Sequence, residues 1–159
     1  EHLYSVSTMI EQAGKVPDTI FMSTIEEKAT QDDVERFQID MDDNVLTIER
    51  VRTADGEPVV YCIDKVPSNY LHQEFLTKDN ISLFSALEKS ANVRVTYAIT
   101  QIDPIGYHDH VSPILKTGKD TALLVLSQAH YDEYDRLVLY SKNYFRADKF
   151  SFHVVRKRM

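Results

Sequence analysis

The sequence feature that most restricts the fold is the stretch of residues 46–67, LTIERVRTADGEPVVYCIDKVP. It predicts two β-strands joined by a tight turn, because the Asp55-Gly56 pair is a strong signal for a β-hairpin. Side chains alternate between the two faces of a strand. Arg50 and Arg52 of the first strand therefore share a face with the apolar residues at its beginning, and that face is predicted to point towards the core.

Two inward arginines restrict what can surround this hairpin. An unpaired guanidinium is very costly to bury, so Arg50 and Arg52 must meet carboxylates or an anionic ligand. The alternative is that both form ordinary ion pairs on a solvated face of the sheet. The residue pattern alone leaves these two interpretations about equally open.

Length and composition narrow the class of protein. A chain of 159 residues is sufficient for a single domain with its own core. Its formal net charge of −7 argues against binding nucleic acid through phosphates. The one cysteine, Cys62, excludes an internal disulfide and fits a reducing compartment. No apolar stretch reaches the length of a transmembrane helix.

The remaining chain divides into short elements. Hydrophobic periodicity and capping residues predict helices at residues 5–14, 34–37, 82–89 and 107–116, and strands at residues 19–28, 93–102, 121–131, 137–145 and 150–155. Strands adjacent in sequence and joined by tight turns favour an antiparallel sheet with helices packed on it, which is an α+β fold. Ser7 is the predicted N-cap of the first helix. With Thr8, it makes the start of that helix a candidate anion site.

Signatures of catalysis are scarce in this sequence. With only four glycines, neither a phosphate-binding loop nor a dinucleotide fingerprint can be formed. His108 and His110 form a metal-like pair, but no third ligand is near in sequence, so both are predicted to be surface loop residues. Cys62 is predicted to be a buried apolar residue rather than a nucleophile.

Four ordered motifs resemble a known family. They are RVRTADGEP at residues 50–58 followed by KVP at 65–67, SLF at 82–84, VLSQAHYD at 125–132, and YFRADKFSF at 144–152. Together they resemble the UTRA domain, the effector-binding domain of HutC-like regulators in the GntR superfamily. The resemblance covers nearly the whole chain, with Ala147 standing where the family usually has glycine.

This resemblance implies a fold and a function. The fold is chorismate-lyase-like, an α+β domain over residues 1–159 with a six-stranded antiparallel sheet and short packed helices. The function is to sense a small anionic metabolite, without catalysis, metal or cofactor, in a cytoplasmic homodimeric repressor. Operator DNA would be bound only by an N-terminal winged helix-turn-helix that is absent from this sequence, and no membrane would be involved.

The resemblance also implies a set of effector-binding residues. In relatives that bind phosphosugars, two arginines that match Arg50 and Arg52 hold the phosphate. Phe145 replaces a common tyrosine, and Cys62 and Leu139 replace two glutamates that read sugar hydroxyls. The effector is therefore expected to have an anionic end, such as a phosphate or another acid group, and a more apolar body than an amino-sugar phosphate. The predicted site comprises Ser7, Thr8, Arg50, Arg52, Cys62, Thr100, Leu139, Tyr144 and Phe145.

Two alternatives belong to other functional classes. One is a lyase-type enzyme on the same fold, in which the arginines would hold a substrate carboxylate. The other is a dimerisation module without a ligand, in which the arginines would form only structural ion pairs.

Overall fold

Six strands and four short α-helices make up the computed structural model, which describes residues 5–76 and 82–159. The strands are β1 Pro17–Lys28, β2 Asn44–Ala54, β3 Glu57–Pro67, β4 Val95–Ile105, β5 Leu123–Asp132 and β6 Leu137–Arg146. The helices are α1 Val6–Gln12, α2 Gln31–Phe37, α3 Leu83–Ala91 and α4 Val111–Ile114, with a 3₁₀ turn at Gln73–Phe75. None of the helices in these two described ranges is long and apolar enough to cross a membrane.

The strands form one sheet in the order β1-β2-β3-β6-β5-β4, and every neighbouring pair is antiparallel. The predicted α+β fold with a six-stranded antiparallel sheet is therefore confirmed. The sheet consists of two three-stranded halves, β1-β2-β3 and β6-β5-β4. They join where β3 pairs with β6, from Val60 opposite Phe145 to Lys65 opposite Tyr140. This pairing is shorter than those within each half.

The predicted hairpin connects β2 to β3 at Asp55 and Gly56. Both residues have positive φ, 49° and 81° respectively, as the tight primed turns that suit a twisted hairpin require. The register that follows places Arg50 opposite Cys62 and Ile48 opposite Asp64.

Each face of the sheet has its own helical cover. The face that carries Arg50 and Arg52 lies under α1 and α3, and the cores there are centred on residues such as Ile48, Leu87 and Ile10. On the opposite face, α4 packs against an apolar cluster of β2, β3, β5 and β6. The inward prediction for the arginines is correct: the Arg50 side chain is 12% exposed, and Arg52 is 2% exposed.

Two local predictions are wrong. The N-cap of α1 is Ser5, whose Oγ accepts a hydrogen bond from the Thr8 amide at 3.2 Å, and Ser7 lies inside the first turn. Residues 150–155 do not form a strand. Both sides of β6 are already paired, so this segment finds no free strand edge beside it, and it packs Phe150 and Phe152 against Phe145 instead.

The turn geometry leads to a stability prediction. Gly56→Ala should lower the free energy of unfolding by about 1 kcal/mol, because a Cβ is disfavoured at a positive φ. Chemical denaturation of the purified chain measures this difference. Gly106→Ala is the matched control, since an added Cβ meets no atom within 4 Å at either position and Gly106 lacks a positive φ. Equal losses in the two variants would contradict the role given to the turn.

Candidate functional site

A cavity of about 60 Å³ lies between the sheet and the helices α1 and α3, with room for several water molecules or a small anion. Its floor comes from β2, β3, β6 and β5. Its walls come from α1 and from the first turn of α3. The polar lining residues are Ser5, Ser7, Arg50, Arg52, Asp64, Ser82, Gln128, His130, Ser141 and Asn143. The apolar lining residues are Val6, Met9, Leu83, Phe84, Leu126, Leu139 and Phe145.

Arg50 is held by a carboxylate on the neighbouring strand. Its Nη2 lies 3.3 Å from Asp64 Oδ2, and both side chains are buried. Asp64 also accepts a hydrogen bond of 2.6 Å from Ser141 Oγ on β6. The Arg50 Nε is buried and has no hydrogen-bond partner among the described residues. The ion pair therefore uses only part of the donor capacity of this guanidinium.

Arg52 lies deeper than Arg50 and contacts α1. Its Nη2 donates a hydrogen bond of 2.6 Å to Ser7 Oγ, and its Nε donates to the Asp18 carbonyl at 3.3 Å. Burial lowers the pKa of the Arg52 guanidinium, and the neighbouring charge of Arg50 lowers it further. A guanidinium nevertheless stays protonated at neutral pH, so this region favours an added negative charge.

The charges of the lining residues do not cancel. In the described part of the chain, the cavity is lined by two guanidiniums and one carboxylate, that of Asp64. Burial lowers the pKa of His130, which favours the neutral imidazole, and its Nδ1 lies 3.2 Å from the Leu139 carbonyl. The first turn of α3 adds the partial positive charge of a helix N-terminus. Among the described lining residues, the charges therefore sum to a net positive value.

The lining beyond the arginines is mixed in character. Leu139 and Phe145 are almost fully buried. Together with Leu126 and Phe84, they form the apolar part of the cavity wall. Gln128, His130 and Asn143 interrupt this wall with polar groups. The cavity can therefore hold an anionic group at one end and a small, partly apolar body at the other.

Five of the predicted site residues line this cavity, namely Ser7, Arg50, Arg52, Leu139 and Phe145. Cys62 lies between Arg50 and Asn143 in the register but is fully buried and does not line it. Burial raises the pKa of the Cys62 thiol to about 12, so the thiol is neutral.

The other three predicted residues lie elsewhere. Tyr144 was predicted in the same site as the arginines, but residues adjacent to one another on a strand face opposite sides. Tyr144 therefore lies on the other face of the sheet, where it lines a second cavity with residues such as His108 and Val125. The Thr8 hydroxyl contacts Ser5 and is not part of the lining. Thr100 is exposed on β4 and accepts a hydrogen bond from Gln128 at 3.0 Å.

Sequence reasoning missed several lining residues. Asp64 could have been found, because alternation along β3 places it on the same face as Cys62. Asn143, Gln128 and His130 become neighbours of the arginines only through the order of the strands in the sheet. Ser82 was recognised as part of a helix start but was not assigned to the site. The described residues contain no group of three or more ligands that could hold a metal ion.

Comparison with known proteins decides the family. The sequence profile of the UTRA domain family matches residues 12–151. The chain belongs to the UTRA domain family. This confirms the resemblance seen in the motifs and relates the domain to the effector-binding domains of GntR-family regulators. A comparison with curated protein sequences finds no match.

Solved structures agree with this UTRA assignment. PhnF from Mycobacterium smegmatis superimposes with a TM-score of 0.86 at 21% identity, covering 99% of this chain and 70% of that chain. The isolated effector domain of PhnF gives a TM-score of 0.84 at 21% identity, covering 97% and 95%. A GntR-family transcriptional regulator from Enterococcus faecalis gives 0.70 at 19% identity, covering 88% and 99%. At these identities the likeness establishes the shared fold.

The state of Cys62 gives a reactivity prediction. A pKa of about 12 leaves on the order of one thiolate in ten thousand at pH 8, and burial blocks access to it. Iodoacetamide should therefore leave the native UTRA domain unmodified for hours and alkylate one site after unfolding in guanidinium chloride, as measured by mass spectrometry. Ser151→Cys is the control, because residue 151 is exposed and should be modified in the folded protein. Rapid alkylation of the native wild type would contradict the buried, protonated thiol.

Proposed function

We propose that this UTRA domain is the effector-sensing part of a GntR-type transcription regulator and that it binds a small anionic metabolite in the cavity between α1, α3 and the sheet. The observation that supports this best is the pair of guanidiniums, Arg50 and Arg52, in the cavity lining, where the described residues supply one carboxylate. A bound oxyanion would add negative charge beside the two guanidiniums and an acceptor for the Arg50 Nε, which has no partner among the described residues.

The ligand is sensed rather than transformed in this proposal. Cys62 is neutral and outside the cavity, which removes it as a nucleophile. The remaining lining groups are suited to binding: guanidiniums and hydroxyls for an oxyanion, and leucine and phenylalanine side chains for an apolar body. No cofactor is needed for such a role.

Regulation would follow from the position of the cavity. Arg52 donates a hydrogen bond to Ser7 of α1, and both residues line the cavity. A ligand that binds Arg52 therefore lies beside α1. We propose that the domain forms a homodimer in the cytoplasm and that a preceding DNA-binding domain contacts the operator. An effector that binds one dimer geometry more tightly than another shifts the population between them and thereby changes operator binding. The net charge of −7 supports assigning DNA contact to another domain.

Phosphate binding tests the anion site. Inorganic phosphate, titrated at constant ionic strength, should raise the melting temperature of the wild-type chain, because a ligand that binds only the folded state stabilises it. Arg52→Gln should lose at least about tenfold in phosphate affinity through the loss of one charge-assisted hydrogen-bond partner. Differential scanning fluorimetry followed by isothermal titration calorimetry measures both effects.

The matched control is Arg94→Gln, which removes an arginine on the exposed surface. It has the same change in net charge as Arg52→Gln, and its phosphate response should equal that of the wild type. Circular dichroism verifies that both variants are folded. An undiminished phosphate response in folded Arg52→Gln, or none in the wild type, would refute the anion site.

A further inference from the structure

Asn143 contributes to the cavity lining and has a buried side-chain oxygen without a hydrogen-bond partner among the described residues. This residue on β6 is 6% exposed and lines the cavity. Its Oδ1 is buried and accepts no hydrogen bond from the described residues. Buried carbonyl oxygens in folded proteins almost always accept a hydrogen bond, so an unpaired one on a residue that lines a cavity indicates a missing donor.

The register places this orphan acceptor near the anion end of the cavity. Arg50, Cys62 and Asn143 lie opposite one another in a row across β2, β3 and β6. Neighbouring strands are about 4.8 Å apart, so the Cα atoms at the two ends of the row are about 10 Å apart. Arg50 and Asn143 both line the cavity of about 60 Å³, whereas the fully buried Cys62 between them does not. A small molecule can therefore contact both end residues at once.

Two buried atoms on residues of the cavity lining, one on Arg50 and one on Asn143, need opposite hydrogen-bond partners. Within residues 5–76 and 82–159, the Arg50 Nε lacks an acceptor and the Asn143 Oδ1 lacks a donor. A fully ionised oxyanion such as sulfate satisfies only the first, because it has no hydrogen to donate. Both are satisfied by one molecule that carries an anionic group and, a few bonds away, a hydroxyl or amino group.

We propose that Asn143 determines the ligand specificity of this cavity by accepting a hydrogen bond from a hydroxyl or amino group next to the anionic group of the ligand. This inference rests on the proposed function, since it assumes that Arg50 and Arg52 hold the anion. It defines the ligand class as short, substituted oxyanions bearing a hydrogen-bond donor. Leu126 lies opposite Asn143 on β5 and, with Leu139, limits how far a polar body can extend.

Three matched probes test this role: ethyl phosphate, 2-hydroxyethyl phosphate and 2-aminoethyl phosphate. They share one phosphate monoester and differ only in the terminal group. Isothermal titration calorimetry on the wild-type chain should show at least one donor-bearing probe binding about tenfold more tightly than ethyl phosphate, because it satisfies a buried acceptor. Comparing the hydroxyl and amino probes then identifies the donor.

Two variants connect this preference to Asn143. Asn143→Leu replaces the amide by an apolar group of similar size, so the donor preference should fall to about one while ethyl phosphate binding is retained. Asn143→Asp keeps an acceptor at the same position. It should therefore keep the donor preference. Its added negative charge should weaken binding of ethyl phosphate and 2-hydroxyethyl phosphate, whereas the ammonium group of 2-aminoethyl phosphate offsets this repulsion.

The possible outcomes separate this inference from the anion site. Equal binding of all three probes by the wild type would overturn the role of Asn143 and leave the anion site intact. A preference that persists in folded Asn143→Leu would also overturn it. Absence of binding by any probe and by inorganic phosphate would refute the anion site, and the inference with it. The wild-type comparison decides the ligand class even if a variant does not fold.

Discussion

The buried ion pair between Arg50 and Asp64 is the interaction on which the site depends. Alternation along β2 forces two guanidiniums under the helical cover, and such charges persist in a core only with partners. Asp64 neutralises one of them from β3, and Ser141 on β6 holds that carboxylate in turn. Three strands are thus linked through one carboxylate. The second guanidinium, Arg52, donates a hydrogen bond to Ser7 and brings a second positive charge to the cavity lining.

The part of the site that could be predicted from the sequence is the part set by local rules. The Asp55-Gly56 turn fixed the hairpin, and the two-residue period of a strand placed Arg50 and Arg52 on one face. The same rule, applied to β6, would have separated Tyr144 from Phe145. Asn143 could not be found in this way, because its distance from Arg50 depends on which strands become neighbours in the sheet. That order is a long-range property with no signal in either strand.

The strand that was predicted at residues 150–155 does not form, and the reason is again the order of the strands in the sheet. Its apolar and β-branched residues have the composition of a strand, but a strand also needs an edge to pair with. The preceding strand, β6, lies in the middle of the sheet, between β3 and β5. Phe150 and Phe152 therefore contribute to the core by edge-on contacts with the Phe145 ring, at centroid distances of 5.1 Å each. Burial of aromatic area, rather than backbone pairing, fixes this part of the tail.

The pairing between β3 and β6 is the shortest in the sheet, so the two halves share fewer backbone hydrogen bonds than the strands within each half. Arg50 and Arg52 belong to one three-stranded half, and Asn143, Leu139 and Phe145 belong to the other. A molecule that contacts residues of both halves would add contacts across the junction between β3 and β6. The strand pairing within each half is more extensive, so a bound molecule adds contacts at the junction where the pairing is shortest. Such a molecule would therefore link the two halves of the sheet through side-chain contacts at the position where the backbone pairing is shortest.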